Sequence, residues 1–550
     1  MEKRYQHLFY GTWFFIGLVQ AYFTELLDDE AYYWVFSRFP AWGYFDHPPI
    51  TGLLIKAGYS LIPNELGVRL FIVALSTATI FLCEKLLEKK DHLLFYAICL
   101  SMAVLQIGGF LAVPDIPLMF FTSLFFLSFK KFIAGSNLMN SLLLGLVIAL
   151  MLYSKYHAVL IVFFTLLSST SLLKKRYTYI AGLVALLLFV PHLLWQYQHD
   201  WISFRYHLFE SNVNPYKLSY TTEYILGQLL IAGPIAGFIF WWAVIKYSPK
   251  TATERALKFT GLGILIFFLI SSFRGRVEAN WTAPAIIPLI VLSHQYLQDH
   301  LKWRRWTYRL LPVTLLLVFL IRIIIAFDLM PAKAVAERFH QYKEWPQQLK
   351  AKTKGLPIVF NSSYQKASKY WFYSGQPSLS LNDYKRRRNN YNFWPLEDEI
   401  FGRPVYVIDP QASYSNLDSM QTPIGNLRYA MDSAFYSFGG IAFIPANKKY
   451  LVKEGQPFIL RASFKGNDYE PYLQQGFTTL WKIKLGVYDK QKWIQDVNLH
   501  LSLQQLFTMQ TLAIPVNLKL QKGTYYLRFA IQSDAGWFTH NSDKIKLVIE

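Results

Sequence analysis

The sequence predicts an α-helical polytopic membrane protein that carries a C-terminal soluble region of α/β and β-sandwich type. Two observations set the membrane part. The 550 residues are 53% hydrophobic with a mean hydropathy of +0.22, and apolar runs of spanning length recur through the first 330. A third sets the soluble part: beyond residue 330 charge rises, the long apolar runs stop, and Pro, Asn, Gln and Gly become frequent.

The apolar runs lie near 8–27, 66–84, 92–111, 116–133, 138–153, 157–173, 178–197, 223–246, 256–272, 280–297 and 307–327, about eleven spans. Met1-Glu2-Lys3-Arg4 ahead of Leu8–Leu27 looks like the start of a signal peptide. No small-residue cleavage site follows, so the run is expected to stay as a first spanning helix. The net charge of +20 comes mainly from short loops between apolar runs, which is a pattern of membrane orientation and not of nucleic-acid binding. If Met1–His7 is cytoplasmic, the loops Glu84–His92, Lys130–Asn137, Lys174–Arg176, Lys246–Lys258 and Asp299–Arg309 fall inside, and each is basic. The same parity places everything after about Met330 outside. Cys83 and Cys99 lie in or beside apolar segments and give no disulfide framework.

Parity also marks cations on the wrong side. Lys155, Arg205, Arg274, Arg276, Arg38, Lys56 and Arg69 fall in outward loops, where a site for a phosphate-bearing substrate would need them. Lipid-headgroup anchoring is the alternative for some of them.

In the soluble region, Pro357–Phe360 and Arg403–Ile408 read as short buried strands with a helix over Tyr364–Ser374 between them. This gives a small α/β unit over 331–432. From 433 to 550, alternating runs such as Phe458–Phe464, Leu480–Tyr488, Thr524–Ile531 and Lys544–Ile549, punctuated by Gly455, Gly466, Gly486 and Gly523, predict a β-sandwich-like domain. Lys385-Arg386-Arg387-Arg388 reads as a solvated or headgroup-facing patch.

Acids stand out in two outward loops. One is Asp28-Asp29-Glu30, followed by Ala31-Tyr32-Tyr33-Trp34 and then by Gly43-Tyr44-Phe45-Asp46-His47-Pro48-Pro49. The other is Val113-Pro114-Asp115-Ile116-Pro117. Helix capping is the plain alternative for Asp115, and for Asp29 and Glu30 at the head of an interfacial helix Ala31–Arg38, though three acids exceed the needs of one cap. Carboxylates suit deprotonation of an acceptor hydroxyl or amine, and Lys and Arg suit a departing phosphate, with aromatics where a lipid carrier would lie. His47 suits a metal, a phosphate contact or a structural hydrogen bond, which leaves a divalent metal at Asp46 and His47 open. No Walker-type glycine loop, zinc spacing or serine-nucleophile elbow is present in the sequence.

Five motifs in order, Asp29-Glu30-Ala31-Tyr32-Tyr33, Gly43–Pro49, Pro114-Asp115-Ile116-Pro117-Leu118, Ser154-Lys155-Tyr156 and Ala279-Asn280-Trp281, resemble the polytopic GT-C glycosyltransferases over about residues 8–330. The likeness is to the bacterial branch related to protein O-mannosyltransferases and the lipid A aminoarabinose transferase. It implies a GT-C domain over 1–330 with about 11–13 transmembrane helices, in a bacterial inner membrane with the N-terminus cytoplasmic and the C-terminal region periplasmic. It further implies inverting transfer of a sugar from a polyprenyl (undecaprenyl) phosphate donor to a lipid A, other glycan or protein acceptor. Asp29 is then the expected catalytic carboxylate, supported by Glu30 and Asp115. Asp46, His47, Lys155, Arg274 and Arg276 would border the donor phosphate, and Tyr32, Tyr33, Trp34, Asn280 and Trp281 would face acceptor or lipid. His47 stands where the lipid A transferases place a lysine, which sets this chain apart from that subfamily while keeping the fold.

Two other classes fit parts of the pattern. A lipid-linked sugar transporter would show repeat-related broken helices and polar residues at mid-membrane, whereas the acids here lie at one interface. An envelope glycan-binding protein would work through the β-domain alone.

Overall fold

The computed structural model describes residues 2–211, 215–327, 329, 339–410, 414, 416–466, 482–490, 492–509, 511–533 and 538–550. The chain forms two compact units, Met1–His340 and Gln341–Glu550. The boundary expected at 330/331 lies outside the described residues.

Each apolar run of the first unit becomes helix. The main helices are α1 (Glu2–Phe23), α2 (Asp28–Arg38), α3 (Ile50–Leu61), α4 (Glu65–Leu86), α5 (His92–Ser101), α6 (Asp115–Ala134) and α7 (Leu138–Ser154). They continue with α8 (Ala158–Ser168), α9 (Arg176–Gln198), α10 (Leu218–Ala232), α11 (Gly237–Lys246), α12 (Ala252–Ser271), α13 (Ile286–Asp299) and α14 (Leu301–Ala326). Polar residues between the runs start the next helix. The Asn64, Asp91 and Asn137 side chains accept from the amides of Gly67, Leu94 and Asn140, and Thr251 with Glu254 forms a capping box on α12.

By length and composition, α4, α6, α9 and α14 each suffice to cross a membrane, and two bent pairs raise the number to six among the described residues. The remaining expected spans are helical but shorter or more charged. One bent pair breaks after α5 at 79°, the other between α10 and α11 at 95°. Gly233 makes the second break with φ +151, where a Cβ would stand 2.6 Å from the Ser101 carbonyl oxygen.

The expected interfacial helix is α2. Tyr32, Tyr33 and Trp34, expected to face acceptor or lipid, are 1%, 6% and 3% exposed, and their rings pack inside the protein. Phe36 stacks on Tyr44 at 3.9 Å, and the Tyr44 hydroxyl donates toward the Phe36 and Phe39 carbonyls, which folds the Gly43–Pro49 turn back against α2.

In the second unit, α15 (Trp345–Lys352) and α16 (Tyr364–Ser374) accompany a sheet ordered β2-β1-β3-β5-β4. Its strands are β1 (Ile358–Asn361), β2 (Ser378–Leu381), β3 (Val405–Ile408), β4 (Leu417–Thr422) and β5 (Gly425–Asp432), with the first three parallel. Two further sheets follow. One joins β10 (Lys492–Ser502), β9 (Lys482–Asp489), β12 (Gly523–Gln532), β13 (Ile545–Ile549) and β7 (Lys449–Val452). The other joins β11 (Thr511–Val516), β8 (Phe458–Lys465) and β6 (Ala442–Pro445). Leu460, Leu485, Leu512, Phe529 and Leu547 from both share one core, the sandwich that the alternating runs predict.

The Lys385–Arg388 run is not a free patch. Lys385 covers the Trp493 ring at 3.9 Å and stands 3.8 Å from Asp496, and Arg388 pairs with Asp543 at 3.2 Å. Tyr384 lies over Gly486, where a Cβ would meet its ring at 2.4 Å, and donates to Asp496. The run therefore fastens the loop after β2 onto the sheet. Arg386 and Arg387 keep the exposed part.

Candidate active site

Two buried acid–cation pairs organise the first unit. At the start of α2, Glu30 is fully buried and meets the fully buried Arg69 of α4 through Nε at 2.7 Å and Nη2 at 2.5 Å. The Ala112 amide donates to the same carboxylate at 2.7 Å and the Leu27 amide at 3.0 Å. Arg69 also donates to the Ala21, Thr24 and Glu25 carbonyls, which are the loose carbonyl ends of α1. One ion pair thus joins the end of α1, the start of α2, α4 and the segment leading into Asp115. Four donors, two from Arg69 and two backbone amides, occupy the Glu30 carboxylate. Asp29, beside it on the first turn of α2, is exposed.

The second pair gathers three separated motifs. Asp115 opens α6 and is 4% exposed, with Lys155 Nζ 2.7 Å from Oδ1 and Asn280 Nδ2 2.9 Å from Oδ2. Asp115 is the first helical residue after Pro114 at the N-cap, and its carboxylate bonds run to the Lys155 and Asn280 side chains. Lys155 follows α7, and Asn280 stands in the 3₁₀ turn Ala279–Ala285 before α13. Asn280 is exposed, and the cluster opens there.

A series of rings includes Tyr156 and His157, which follow Lys155 in the chain. Tyr33 meets His47 at 5.4 Å, His47 lies 6.4 Å from His207, His207 lies 5.4 Å from Tyr156, and His157 lies 6.0 Å from Trp281. His207, in the π-helical turn Tyr206–Glu210, donates to the Asp46 carbonyl at 2.9 Å. A polar brace holds the loops. His192 donates from Nδ1 to the Trp42 carbonyl at 2.7 Å, which leaves Nε2 to accept from the Tyr156 hydroxyl at 3.1 Å. Gln196 donates to the Tyr156 oxygen, and Ser203 donates to the Tyr44 carbonyl at 2.8 Å. Desolvation raises the Tyr156 phenol above its ordinary value, which keeps it protonated as a donor.

The sequence reading missed His207, His192 and Gln196. The last two stand one helical turn apart in the apolar run of α9, and polar side chains inside a spanning run are the signal that would have found them. Arg276 is 62% exposed and stands 3.5 Å from both Glu223 and Glu278. Arg274 is exposed, and among the described residues no hydrogen bond or ion pair joins either arginine to the Asp115 cluster. Asp46 is buried and His47 half-buried, and among the described residues no group of three or more His, Cys, Asp or Glu stands together.

Three similarities accompany this geometry. Residues 46–195, from the Asp46 turn to α9, match the family described as Dolichyl-phosphate-mannose-protein mannosyltransferase. The lipid A galacturonosyltransferase RgtD of Rhizobium johnstonii is 23% identical over 300 residues, which is 51% of this chain and 62% of that protein. ArnT from Cupriavidus metallidurans, solved bound to undecaprenyl phosphate and also in the apo state, superposes with a TM-score of 0.57. At 12% identity the likeness covers 78% of this chain and 98% of ArnT, and it shows a shared fold. The chain has the GT-C fold and resembles the group of protein O-mannosyltransferase-like and lipid A sugar transferases.

Proposed function

We propose that this chain is a membrane glycosyltransferase that moves a sugar from a polyprenyl phosphate, undecaprenyl phosphate in bacteria, to an envelope acceptor at the periplasmic face of the inner membrane. The observation that carries the reading is the Asp115–Lys155–Asn280 contact, which draws together segments far apart in sequence and leaves the cluster open on one side. The acceptor proposed first is a lipid A-type glycolipid, in line with the relative's name, with another glycan or a protein as the less supported choices.

The chemistry follows from charge. An acceptor hydroxyl attacks the anomeric carbon, the bond from that carbon to the phosphate oxygen breaks, and the hydroxyl proton passes to a carboxylate, for which the exposed Asp29 is the proposed base. The phosphodiester carries one negative charge and the departing polyprenyl phosphate carries up to two. A fixed ammonium therefore favours the transition state over the ground state. Lys155 supplies that ammonium, and Asp115 fixes its direction. The rings of His47 and Trp281 give the sugar and the first lipid units an apolar wall.

The test is the purified full chain with a polyprenyl-phosphate sugar and lipid A, read by mass spectrometry. The proposal expects a glycosylated product and released polyprenyl phosphate. Donor that crosses a vesicle bilayer intact, with no product in the presence of acceptor, would instead make the chain a transporter.

A further inference from the structure

A cavity of about 840 Å³ lies in the first unit among α1, α5 and α14, and neither Asp115 nor Lys155 lines it. Tyr5, Phe9, Trp13 and Ile16 of α1 form its long wall, spaced as one face of a helix. From Tyr5 to Ile16 the helix rises about 16 Å, close to half of a bilayer core of about 30 Å. The cavity is therefore as long as the acyl chains of one leaflet.

At its polar end Asp91 and His92 are already partnered, and Lys90 beside them is exposed. Arg304 pairs with Asp91 and Glu84 with His92, each at 2.5 Å. Arg322 of α14 also lines the cavity, and its surroundings differ. Its Nη2 donates to the Gln106 carbonyl, while among the described residues Nε and Nη1 are buried without a hydrogen-bond partner and no carboxylate pairs with it. A guanidinium at membrane depth with two idle donors is costly unless an acceptor reaches it. The wall is apolar and the unmatched charge is positive.

We infer that this groove binds an anionic phospholipid, its phosphate against Arg322 and its chains along Tyr5–Ile16 of α1. Charge complementarity selects the anionic headgroup, since a zwitterionic lipid would bring its own cation against Arg322. The site is separate from the proposed transfer site, and its occupancy does not depend on turnover.

The experiment reconstitutes the full chain in nanodiscs with photoreactive phosphatidylglycerol, phosphatidylcholine or polyprenyl phosphate, each in turn, and maps the labelled peptides. The inference expects phosphatidylglycerol to label the α1 segment, with labelling about tenfold weaker in Arg322→Met, the scale of hydrogen bonds to a charged group. Arg322→Lys should keep most of the labelling, and Thr12→Trp, which fills the groove and leaves the charge, should lose it. Equal labelling by phosphatidylcholine, labelling by polyprenyl phosphate alone, or labelling unchanged in Arg322→Met would overturn it.

Discussion

Glu30–Arg69 and Asp115–Lys155 are both buried acid–cation pairs in the same unit, yet their carboxylates are held differently. Every strong acceptor position of Glu30 is taken, by Arg69 twice and by the Leu27 and Ala112 amides. The Asp115 oxygens each meet one side-chain donor, and one of those donors, Asn280, reaches solvent. The difference teaches that burial and charge alone do not mark a functional acid. Saturation by backbone marks a brace, and side-chain partners from several segments around an opening mark a site.

The comparison breaks first on stability. Arg69→Met strands the Glu30 carboxylate among buried groups and is expected to cost about 3–5 kcal/mol. Thermal unfolding in detergent would read this as a large fall in midpoint, and a midpoint unchanged from wild type would remove the brace from the account. Lys155→Met is expected to lower turnover about 10²–10³-fold, the scale for removing one preorganised charge donor. Single-turnover kinetics should place that loss in the chemical step, beyond any change in donor binding. Asn280→Ala removes one hydrogen bond at the open edge and should cost about tenfold in kcat/KM with the unfolding midpoint preserved. These two sharpen the contrast: activity should move with the Asp115 cluster and stability with the Glu30 pair.

The smallest effect is one of pH and belongs to the other unit. His540 is 5% exposed beside Arg528, whose Nη1 stands 3.2 Å from Nδ1; burial, then Arg528, hold its pKa well below the ordinary 6.5. A base with a depressed folded pKa contributes its full stability above about 6.5 and loses it as pH falls further. Acid destabilisation of the chain should therefore be shallower in His540→Gln, measured as unfolding midpoint against pH.

Much of the fold was legible because its signals are local. Runs such as Leu8–Leu27 and the alternation over Phe458–Phe464 settle element type within one window. The helix expected over Tyr364–Ser374 is α16, with Ser363 as its cap. What was not legible depends on three-dimensional partners. Tyr32 and Trp34 look like a headgroup belt in sequence, and only the packing against Phe36 and Tyr59 turns them inward. Arg69 looked like one more misplaced cation until Glu30 closed on it. At the site, Asp115, Lys155 and Asn280 each belonged to a separate motif, and the contact among them exists only after folding. The brace of His192, Gln196 and Ser203 acts through loop carbonyls, which no motif records.

The central claim is that acids side by side on α2 divide the labour, Asp29 acting in chemistry and Glu30 in architecture. Measuring donor consumption and unfolding midpoint together in Asp29→Asn and Glu30→Gln tests it most directly. The account predicts that Asp29→Asn keeps the wild-type midpoint while consumption falls about 10²–10⁴-fold, the range for a general base. Glu30→Gln should lower the midpoint. Wild-type donor consumption by Asp29→Asn would contradict the claim.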